Sequence, residues 1–473
     1  MLTIQGPLRI GEIFDIWEAF DLSGAKEDWV YSCVAVCRQN WRQGWPALGG
    51  TRWLQSPFSL ANSGDHEASL AKIREFTHDN SIELAMSMFQ KNALLRQSEA
   101  ALATESTKRG LRSSIFGWQG GKGVIWTPQE SSSGPRKQLD PYRLMCHGKL
   151  IEAMKGEYIA SFDQGVHQDE LKWVGRVTNF IIGLGNRTGT GEITANGLFE
   201  GMCQSAIEEG MANAQTPNLP LKGLNVLVIG AGAVGLPLIR LLANSGANAD
   251  VFDSDERKRE LVVQCDKSGQ FLDGNSGKVQ FVGSTFEDEL KALSDPKIRI
   301  IAPCGGKTEW LSRDSQFSED YERKHGKPER SRAMVIAEAK KLHRGEARLI
   351  VGAGNDQMAT TDYNSAKVNA RRDAVSALTE QGITFVPDPL VSTGGVVAVS
   401  HELTDTWESG NVEQVVKDAR AIVRRNVQAV YQEARFLAQE RGKSTVDSAS
   451  MFDAFNNLVR GTSYPPIQPA SNA

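Results

Sequence analysis

The 473-residue chain is poor in the residues that build disulfide frameworks and metal sites. Its six cysteines are scattered and never stand in a C-x-x-C pair, so we expect reduced core residues rather than disulfides or a zinc site. The seven histidines also lack a metal-ligand spacing, and we expect no bound metal. No apolar run is long enough and poor enough in charge to cross a bilayer.

The chain also lacks a strong excess of either charge. Its formal net charge is −4 and 23% of its residues are charged, which gives no reason to expect nucleic acid or an anionic membrane as a partner. The first residues contain no basic segment followed by an apolar core, the pattern of a secretory signal. We therefore expect a cytoplasmic protein.

The most informative stretch is Leu224–Asp253, which reads as strand, glycine turn, helix and second strand. Glycines at 230, 232 and 235 have the order G-x-G-x-x-G. They permit a tight turn, close approach of a pyrophosphate and close packing of helix on strand. The pyrophosphate would lie at the helix N-terminus, where N–H groups and the helix dipole favour an anion. The pattern predicts a dinucleotide-binding turn.

Asp253 ends the second strand, 18 residues after the last glycine of the turn. A carboxylate there can accept the ribose hydroxyls of NAD and would repel the 2′-phosphate of NADP, so NADP is the less favoured cofactor. Arg257, Lys258 and Arg259 follow closely, and their cationic side chains weaken that preference unless they belong to a solvated helix face.

Periodicity predicts the remaining elements, with the following assignments. We expect helices at Gly11–Phe20, Ala68–Leu95, Pro141–Met154, Thr194–Glu209 and Val412–Arg441, and strands at Trp29–Cys37, Glu157–Val166, Val279–Val282, Ile298–Ala302, Arg348–Val351 and Gly382–Pro389. We expect glycine turns at Gln43–Trp53 and Phe116–Trp126, the second leading Lys122 into a strand, and surface insertions at 96–115 and 308–346.

Nine short stretches, in this order, resemble the glutamate/leucine/phenylalanine/valine dehydrogenase family, and its leucine and phenylalanine members most closely. They are WPALGGTRW (45–53), LAMSMFQKNA (84–93), GGKGVI (120–125), YIASFDQGV (158–166), TANGLFEGM (194–202), VLVIGAGAVG (226–235), IAPCGG (301–306), VGAGNDQM (351–358) and PDPLVSTGGVVAVSHEL (387–403).

The resemblance implies an α/β protein of two domains with a cleft between them. The first, at 1–180, would be an α/β domain for substrate binding and oligomerisation, with the insertion at 96–115. The second, at 181–435, would be a Rossmann-type domain with a doubly wound parallel sheet. Residues 436–473 would return a C-terminal helix to the first domain and end in a disordered tail. Family members form homo-oligomers, so we expect one here.

The resemblance also implies the reaction and its residues: NAD-dependent oxidation of an L-amino acid to a 2-oxo acid and ammonia. Lys122 and Asp163 match the catalytic lysine and aspartate, and Lys91 matches the lysine that binds the substrate carboxylate. The other predicted substrate contacts are Leu48, Gly49, Gly50, Met88, Ser161, Asn355, Val396 and Val399. The predicted cofactor contacts are Thr194, Gly230, Gly232, Ala233, Val234, Gly235, Asp253, Ser254, Pro303, Cys304 and Asn355.

Each of these residues also has an ordinary structural interpretation. Lys91 can be a solvated charge, Lys122 part of a surface turn, and Asp163 a strand-end cap. Thr194 can be the N-cap of its helix, and Asn355 a turn residue. The order of motifs favours function for each. His167 beside Asp163 is a weaker acid–base candidate, because a lone histidine is more often structural.

The sequence departs from the family pattern at several points. The two lysines are separated by 31 residues, more than in the family, because of the insertion. Ser392 and Thr393 replace part of the family's NAGG, Asp356 replaces an asparagine, and Ala398 replaces another. These changes leave two alternatives open: a reductive aminase or imine reductase of specialised metabolism, and a non-catalytic NAD-binding homologue.

The substrate side chain is predicted from one position before the paired glycines. Glutamate enzymes of the family carry a lysine there, which meets the distal carboxylate, whereas this chain has Leu48. An apolar pocket would leave a second carboxylate without a partner, at a cost of roughly several kcal/mol. We therefore expect an aliphatic or aromatic L-amino acid, without a choice between the two.

Overall fold

The protein is described from a computed structural model. The structure describes residues 2–10, 13–23, 25–38, 46–58, 65–102, 118–128, 139–183, 189–212, 219–267, 277–305, 310–312, 314–326, 330–343, 348–354, 357–358, 365–403 and 412–460.

The chain divides into two compact units. Unit 1 comprises Met1–Asn92, Ala103–Arg187 and Val399–Trp407, and unit 2 comprises Ala93–Leu102, Thr188–Ala398 and Glu408–Ala473.

Unit 1 is built on a six-stranded mixed sheet. Its strands are β1 (Thr3–Ile10), β2 (Phe14–Asp21), β3 (Val30–Cys37), β4 (Ala47–Gln55), β5 (Gln119–Thr127) and β6 (Tyr158–Phe162), and its helices are α1 (His66–Leu102, whose last ten residues belong to unit 2), α2 (Pro141–Ala153) and α3 (Gln168–Val174). The strand order is β1-β2-β3-β5-β4-β6. β1, β2, β3 and β5 pair in antiparallel fashion, whereas β4 lies parallel to both β5 and β6.

Helices cover both faces of this sheet. On one face, the thiol of Cys33 in β3 lies 3.7 Å from the carbonyl oxygen of Thr77 in α1. On the other, Nδ1 of His147 in α2 lies 2.6 Å from Oγ of Ser32, the neighbouring residue of β3. Because successive side chains of a strand point to opposite faces, α1 and α2 must lie on opposite sides of β3.

Unit 2 contains a six-stranded parallel sheet. Its strands are β7 (Asn225–Ile229), β8 (Asn248–Phe252), β9 (Val279–Gly283), β10 (Ile300–Pro303), β11 (Arg348–Val351) and β12 (Ile383–Val386). The order is β12-β11-β10-β7-β8-β9, so the direction of winding reverses between β7 and β10. This reversal is the point at which open parallel sheets bind ligands, beyond the carboxyl ends of the strands.

The helices of unit 2 pack on both faces of its sheet, where two apolar clusters form the core. They are α4 (Thr190–Glu208), α5 (Gly235–Asn244), α6 (Lys258–Lys267), α7 (Phe286–Ser294), α8 (Ser315–His325), α9 (Arg332–His343), α10 (Ser365–Glu380), α11 (Asp388–Val391), α12 (Gly394–Leu403, which continues into unit 1), α13 (Val412–Glu440) and α14 (Ser448–Arg460).

The structure corrects three predictions in unit 1. Gly11–Phe20 does not form the expected helix, because Phe14–Asp21 is strand β2, which is buried on both faces and so lacks a clear alternation. The expected glycine turns at Gln43–Trp53 and Phe116–Trp126 are instead strands β4 and β5. Their glycines lie inside strands where neighbouring backbone comes very close.

Two further predictions differ in unit 2. The segment 308–346 was expected to be a surface insertion, but it contains α8 and α9 and contributes buried residues such as Phe317 and Ile336 to the core. The C-terminal helix α14 packs against α10, α13 and β12 of unit 2 rather than returning to the first domain. Most of the insertion predicted at 96–115 and the tail predicted at the C-terminus lie outside the described residues.

A buried arginine connects the helices of the segment that contains α8 and α9. Nε of Arg332 donates to Oε1 of Glu289 at 2.6 Å, and its Nη1 donates to Oδ2 of Asp314 at 2.7 Å. The guanidinium also lies over the rings of Trp310 and Phe317, at 4.9 and 4.1 Å from their centroids. One side chain thus connects α7, α8 and α9.

Arg332→Met should strongly destabilise unit 2, because Glu289 and Asp314 would be left as buried acids without this cation. We expect the free energy of unfolding to fall by about 3–5 kcal/mol, measured by urea denaturation. Arg323→Met is the matched control. Its guanidinium pairs with Asp320 at 2.9 Å but is largely exposed, so a change below about 1 kcal/mol is expected. Equal effects of the two variants would contradict the proposed role of Arg332 in connecting α7, α8 and α9.

Candidate active site

The strand register in unit 1 brings several predicted site residues to one face of the sheet. Leu48 pairs with Gly120 and Ile159, and Thr51 pairs with Gly123 and Phe162. Because paired residues share a face and neighbours along a strand alternate, one set of side chains lies on the face covered by α1. This set is Leu48, Arg52, Lys122, Ser161 and Asp163, together with the position of Gly50.

Two glycines on this face allow the elements to come close together. A Cβ on Gly50 would lie 2.6 Å from Cβ of Asp163. A Cβ on Gly120 would lie 2.1 Å from the carbonyl oxygen of Ala85 in α1. Real Cβ atoms do not approach neighbours so closely, so glycine is required for this packing. Gly50 lets Asp163 pack directly on β4, and Gly120 lets α1 pack directly on β5.

Tyr158 fills a break in the ladder between β4 and β5. No pair joins Gly49 and Gly50 to β5, although residues before and after them are paired. The Tyr158 hydroxyl accepts the N–H of Gly123 at 3.0 Å and lies 2.9 Å from the carbonyl oxygen of Gly49, to which it donates. This buried hydroxyl replaces ladder hydrogen bonds and holds the two strands around Lys122.

At the centre of the face, Oδ2 of Asp163 receives hydrogen bonds from two cations. Nζ of Lys122 donates to it, and Nε of Arg52 donates to it at 3.0 Å. Both cationic side chains are almost completely buried, whereas about a quarter of the Asp163 side chain remains exposed. The carboxylate thus partly balances two desolvated positive charges and keeps an accessible edge.

The environment changes the proton affinity of both catalytic candidates. Burial lowers the pKa of Lys122 to about 8; the charge of Asp163 opposes this effect, and the charges of Arg52 and Lys91 add to it. Burial by itself would raise the pKa of Asp163, but the charges of Lys122 and Arg52 outweigh it and hold that pKa well below its usual range. The face therefore contains an ionised acid beside an amine that loses its proton near neutral pH.

The other predicted substrate contacts are placed as follows. Leu48, Lys91 and Ser161 are buried, and Met88 on α1 is half-buried. Gly49 lies on the opposite side of β4 from Leu48, against the backbone of Gly121. Val396 and Val399 are buried on α12. Asn355 lies outside the described residues. His167 directly precedes α3, where its backbone N–H donates to Glu170 at 2.7 Å, a helix-capping arrangement.

Arg52 was not identified from the sequence, although it contacts Asp163 directly. A signal was present, because Arg52 stands two residues after Gly50 and would share its face in a strand. Interpretation of the paired glycines as a turn concealed that alternation.

In unit 2, the glycine turn lies at the carboxyl ends of β7 and β10. Gly230 has φ of +102°, which only glycine adopts readily, and its Cβ position would lie 2.8 Å from the backbone nitrogen of Gly305. The Cys304 N–H donates to the carbonyl oxygen of Ile229 at 2.7 Å. Pro303 and Cys304 thus lie beside the turn.

The second and third glycines of the turn have different surroundings. A Cβ on Gly235 would lie 1.9 Å from the carbonyl oxygen of Gly230, so this glycine is needed to pack α5 on the turn. A Cβ on Gly232 would have no described atom within 4 Å. Gly232 therefore borders open space, with Ala233 and Val234 between it and the N-terminus of α5. This is the arrangement a pyrophosphate requires.

Asp253 is held next to this turn by backbone hydrogen bonds. Its Oδ2 accepts the N–H of Ala231 at 2.6 Å, and its Oδ1 accepts the N–H of Asp255 at 2.9 Å. Ser254 beside it is exposed. A carboxylate oxygen has further lone pairs, so Asp253 can accept hydroxyl groups from a ligand in the same place.

Thr194 lies near the start of α4 but does not cap this helix. Helix α4 begins at Thr190, and Oγ1 of Thr194 donates to the carbonyl oxygen of Thr190 at 2.8 Å. The interpretation of Thr194 as an N-cap is therefore wrong. In the same first turn, a Cβ on Gly191 would lie 2.5 Å from the carbonyl oxygen of Ala233, so the start of α4 packs against the glycine turn.

The geometry of unit 2 fits a dinucleotide: an open glycine, a helix N-terminus and a fixed acid surround the switch point of the sheet. Among the described residues, no group of three or more histidine, cysteine, aspartate or glutamate side chains is arranged to hold a metal ion. None of the described helices has the length and apolar character of a membrane span.

Comparisons with known proteins agree with these features. The L-tryptophan dehydrogenase of Nostoc punctiforme is 23% identical over 349 residues, which cover 73% of this chain and 77% of that protein. The leucine dehydrogenase of Bacillus subtilis is 24% identical over 422 residues, covering 86% and 87%. No protein-family model matches the chain.

The fold is also found in a solved structure. The crystal structure of L-tryptophan dehydrogenase from Nostoc punctiforme covers 94% of this chain and 94% of its own, with a TM-score of 0.51 and 18% sequence identity. The comparisons confirm the expected resemblance to amino acid dehydrogenases, which are oxidoreductases, and the expected α/β fold class.

The two glycines of the turn in unit 2 should respond differently to alanine. Gly232→Ala should leave the thermal unfolding midpoint unchanged, because its Cβ enters open space, but should weaken NADH binding by about tenfold or more, since the methyl group occupies the approach of the pyrophosphate. Gly235→Ala should instead lower the midpoint, because its Cβ collides with Gly230.

Differential scanning fluorimetry and an NADH fluorescence titration measure the two effects. Undiminished NADH affinity in Gly232→Ala would exclude this turn as the dinucleotide site.

Proposed function

We propose that the protein catalyses the NAD-dependent oxidative deamination of an apolar L-amino acid. The observation that carries the proposal is the contact of the buried Lys122 with Asp163, on the sheet face that also carries Leu48 and Arg52. Unit 1 would bind the amino acid, and unit 2 would bind the dinucleotide at its glycine turn.

The reaction balances as RCH(NH3+)COO− + NAD+ + H2O → RCOCOO− + NH4+ + NADH + H+. When bound, NAD supplies the oxidant that takes a hydride from the α-carbon. The residues of the chain must then hold the substrate carboxylate, accept protons and direct water to the α-carbon of the resulting imine.

The charges of unit 1 suit an anionic substrate group. Lys91, Lys122 and Arg52 are buried cations, and Asp163 is the acid paired with two of them. Such a concentration of buried positive charge favours an anionic ligand. We assign the α-carboxylate to Lys91, whose charge already acts on Lys122.

Lys122 and Asp163 have the properties that the proton transfers require. A pKa of about 8 gives Lys122 an uncharged fraction in mildly alkaline solution, so its amine can take a proton from the attacking water. Asp163 stays ionised and keeps an exposed edge, so it can exchange a proton with the substrate nitrogen. Both atoms that move protons are therefore fixed by the same hydrogen bond.

Leu48 supports an apolar side chain on the substrate. It is buried on β4, on the same face as Gly50 and Lys122. In this position a leucine cannot pair with a second carboxylate, which disfavours glutamate. Met88, Val396 and Val399 supply further apolar surface in the proposed contact set, to which Gly49, Gly50, Ser161 and Asn355 also belong.

NAD is the proposed cofactor in preference to NADP. Asp253 is fixed beside the glycine turn and would repel a 2′-phosphate. The nearby arginines already pair with acids: Arg257 donates twice to Asp255, and Arg259 donates to Glu256. Neither is placed as a dedicated phosphate ligand.

The proposed contact set for the cofactor is Thr194, Gly230, Gly232, Ala233, Val234, Gly235, Asp253, Ser254, Pro303, Cys304 and Asn355. Homo-oligomerisation and a cytoplasmic location remain predictions.

The proposed function predicts NADH formation with apolar L-amino acids and NAD. Leucine, phenylalanine, tryptophan and glutamate should be compared by absorbance of NADH, and glutamate should be the poorest. The reverse direction, with 2-oxo acids, ammonia and NADH, should also proceed. Turnover only in that direction would favour a reductive aminase, and tight NADH binding without turnover in either direction would favour a non-catalytic homologue.

Lys122→Ala should lower kcat at least about 100-fold, the usual effect of removing a general base, with little change in NADH affinity. Lys172→Ala is the control, because Lys172 is an exposed lysine of unit 1 paired with Asp169. Steady-state kinetics and fluorescence titration give the two quantities. If Lys122→Ala weakened NADH binding as much as turnover, the residue would not be the catalytic base.

A further inference from the structure

Arg52 is the charged residue of the candidate active site that none of the predicted roles includes. It lies on β4 with only 2% of its side chain exposed, and its Nε donates to Oδ2 of Asp163 at 3.0 Å. Lys122 donates to the same oxygen. An arginine cannot be deprotonated in proteins, so this buried guanidinium is a permanent positive charge at the site.

We propose that Arg52 is a positioning residue that fixes the Asp163 carboxylate against Lys122 and, through its permanent charge, favours release of a proton from the Lys122 amine. The proposal rests on the proposed function, because it assigns Arg52 to the same proton-transfer pair. It makes Arg52 a residue that acts through Lys122 and Asp163 rather than on the substrate.

The strand register places Arg52 for this role. Gly50 and Arg52 are two residues apart on β4 and share a face. The missing Cβ of Gly50 lets Asp163 lie against the strand. The neighbouring pair, Thr51 with Phe162, sets the register, so Asp163 follows β6 at the level of Arg52. The same register that brings Asp163 to the site thus aligns it with the guanidinium.

The electrostatic part of the proposal depends on the charged groups around Lys122. Asp163 raises the pKa of Lys122, whereas Arg52 and Lys91 lower it, beside the larger effect of burial. Glu83 on α1 is also buried, but it is not among the charges with the largest effect on the pKa of Lys122, which are those of Asp163, Arg52 and Lys91.

Three titratable groups on the neighbouring elements are neutral. Cys33 on β3 has a pKa raised by burial to about 12, and burial also raises the pKa of the Tyr158 hydroxyl. On the other face, burial lowers the pKa of His147, which packs against Gly123, to about 3. Removal of the Arg52 charge would therefore leave Asp163 as the dominant charge beside Lys122 and stabilise its ammonium form.

Two substitutions separate the charge of Arg52 from its hydrogen bond. Arg52→Gln retains an N–H donor that can reach Asp163 but removes the charge. Arg52→Lys retains the charge but loses the planar donor group. The readout is the pH dependence of kcat/KM for oxidative deamination between pH 6.5 and about 10.5, at saturating NAD, in the range where Lys122 loses its proton.

We expect the wild-type kcat/KM to rise with pH through a midpoint near 8, where Lys122 deprotonates. In Arg52→Gln this midpoint should move up by about one pH unit, so that activity falls about tenfold at pH 7.5 and partly recovers at pH 10. In Arg52→Lys the midpoint should stay near the wild-type value, with a lower plateau. An equal loss at every pH in Arg52→Gln would overturn the proposal and assign Arg52 a structural role.

Two further measurements keep the test decisive. If Arg52→Gln does not fold, Arg52→Lys alone decides: an unchanged kcat and an unchanged pH profile of kcat/KM would show that the Nε hydrogen bond to Asp163 has no positioning role.

If the wild-type protein turns over no amino acid, the proposed function fails. The titration of Lys122 then remains measurable by 15Nζ-lysine NMR, with the Lys122 signal assigned by its absence in Lys122→Ala. A midpoint that does not rise in Arg52→Gln would then refute the inference independently.

Discussion

The Asp163 carboxylate forms the interactions on which the candidate active site of unit 1 depends. Its Oδ2 atom contacts Lys122 and Arg52, two cations that are almost wholly removed from water. A buried cation without a partner is strongly unfavourable, and an isolated lysine in this position would simply lose its proton. With the acid present, the two forms of Lys122 come close in free energy near neutral pH, and a proton-transfer group requires such a balance.

Glycine residues shape the candidate sites of both units, although for different physical reasons. In unit 1, Gly50 and Gly120 occur inside strands because an acid and a helix backbone lie where a side chain would stand. In unit 2, Gly230 supplies a positive φ and Gly235 a close helix–strand contact, while Gly232 leaves space for a ligand. Close backbone approach thus builds one site from a sheet face and the other from a turn.

Sequence patterns predicted unit 2 better than unit 1, for reasons visible in particular residues. The order of strand, glycine turn, helix and second strand within Leu224–Asp253 was predicted correctly, because parallel strands are short apolar runs with clear turn signals. In β4 and β5 the same rules failed, since their glycines mark packing contacts rather than turns. The spacing of Arg52 from Gly50 indicates a shared face, but the contact of Arg52 with Asp163 depends on the register of β4 on β6.

The cluster of buried cations around Asp163 links the fold to the proposed function. Lys91 comes from α1, a helix held on β5 through Gly120, whereas Arg52 and Lys122 come from two adjacent strands. Three separate elements therefore bring cations to one sheet face, and strands with any other residue at Gly120 or Gly50 could not bring them so close. Repulsion between these like charges lowers the stability of the fold, and an anionic substrate would offset that loss. Since Leu48 on the same face cannot pair with a second acidic group, the ligand that we propose has one carboxylate at one end and an apolar group at the other.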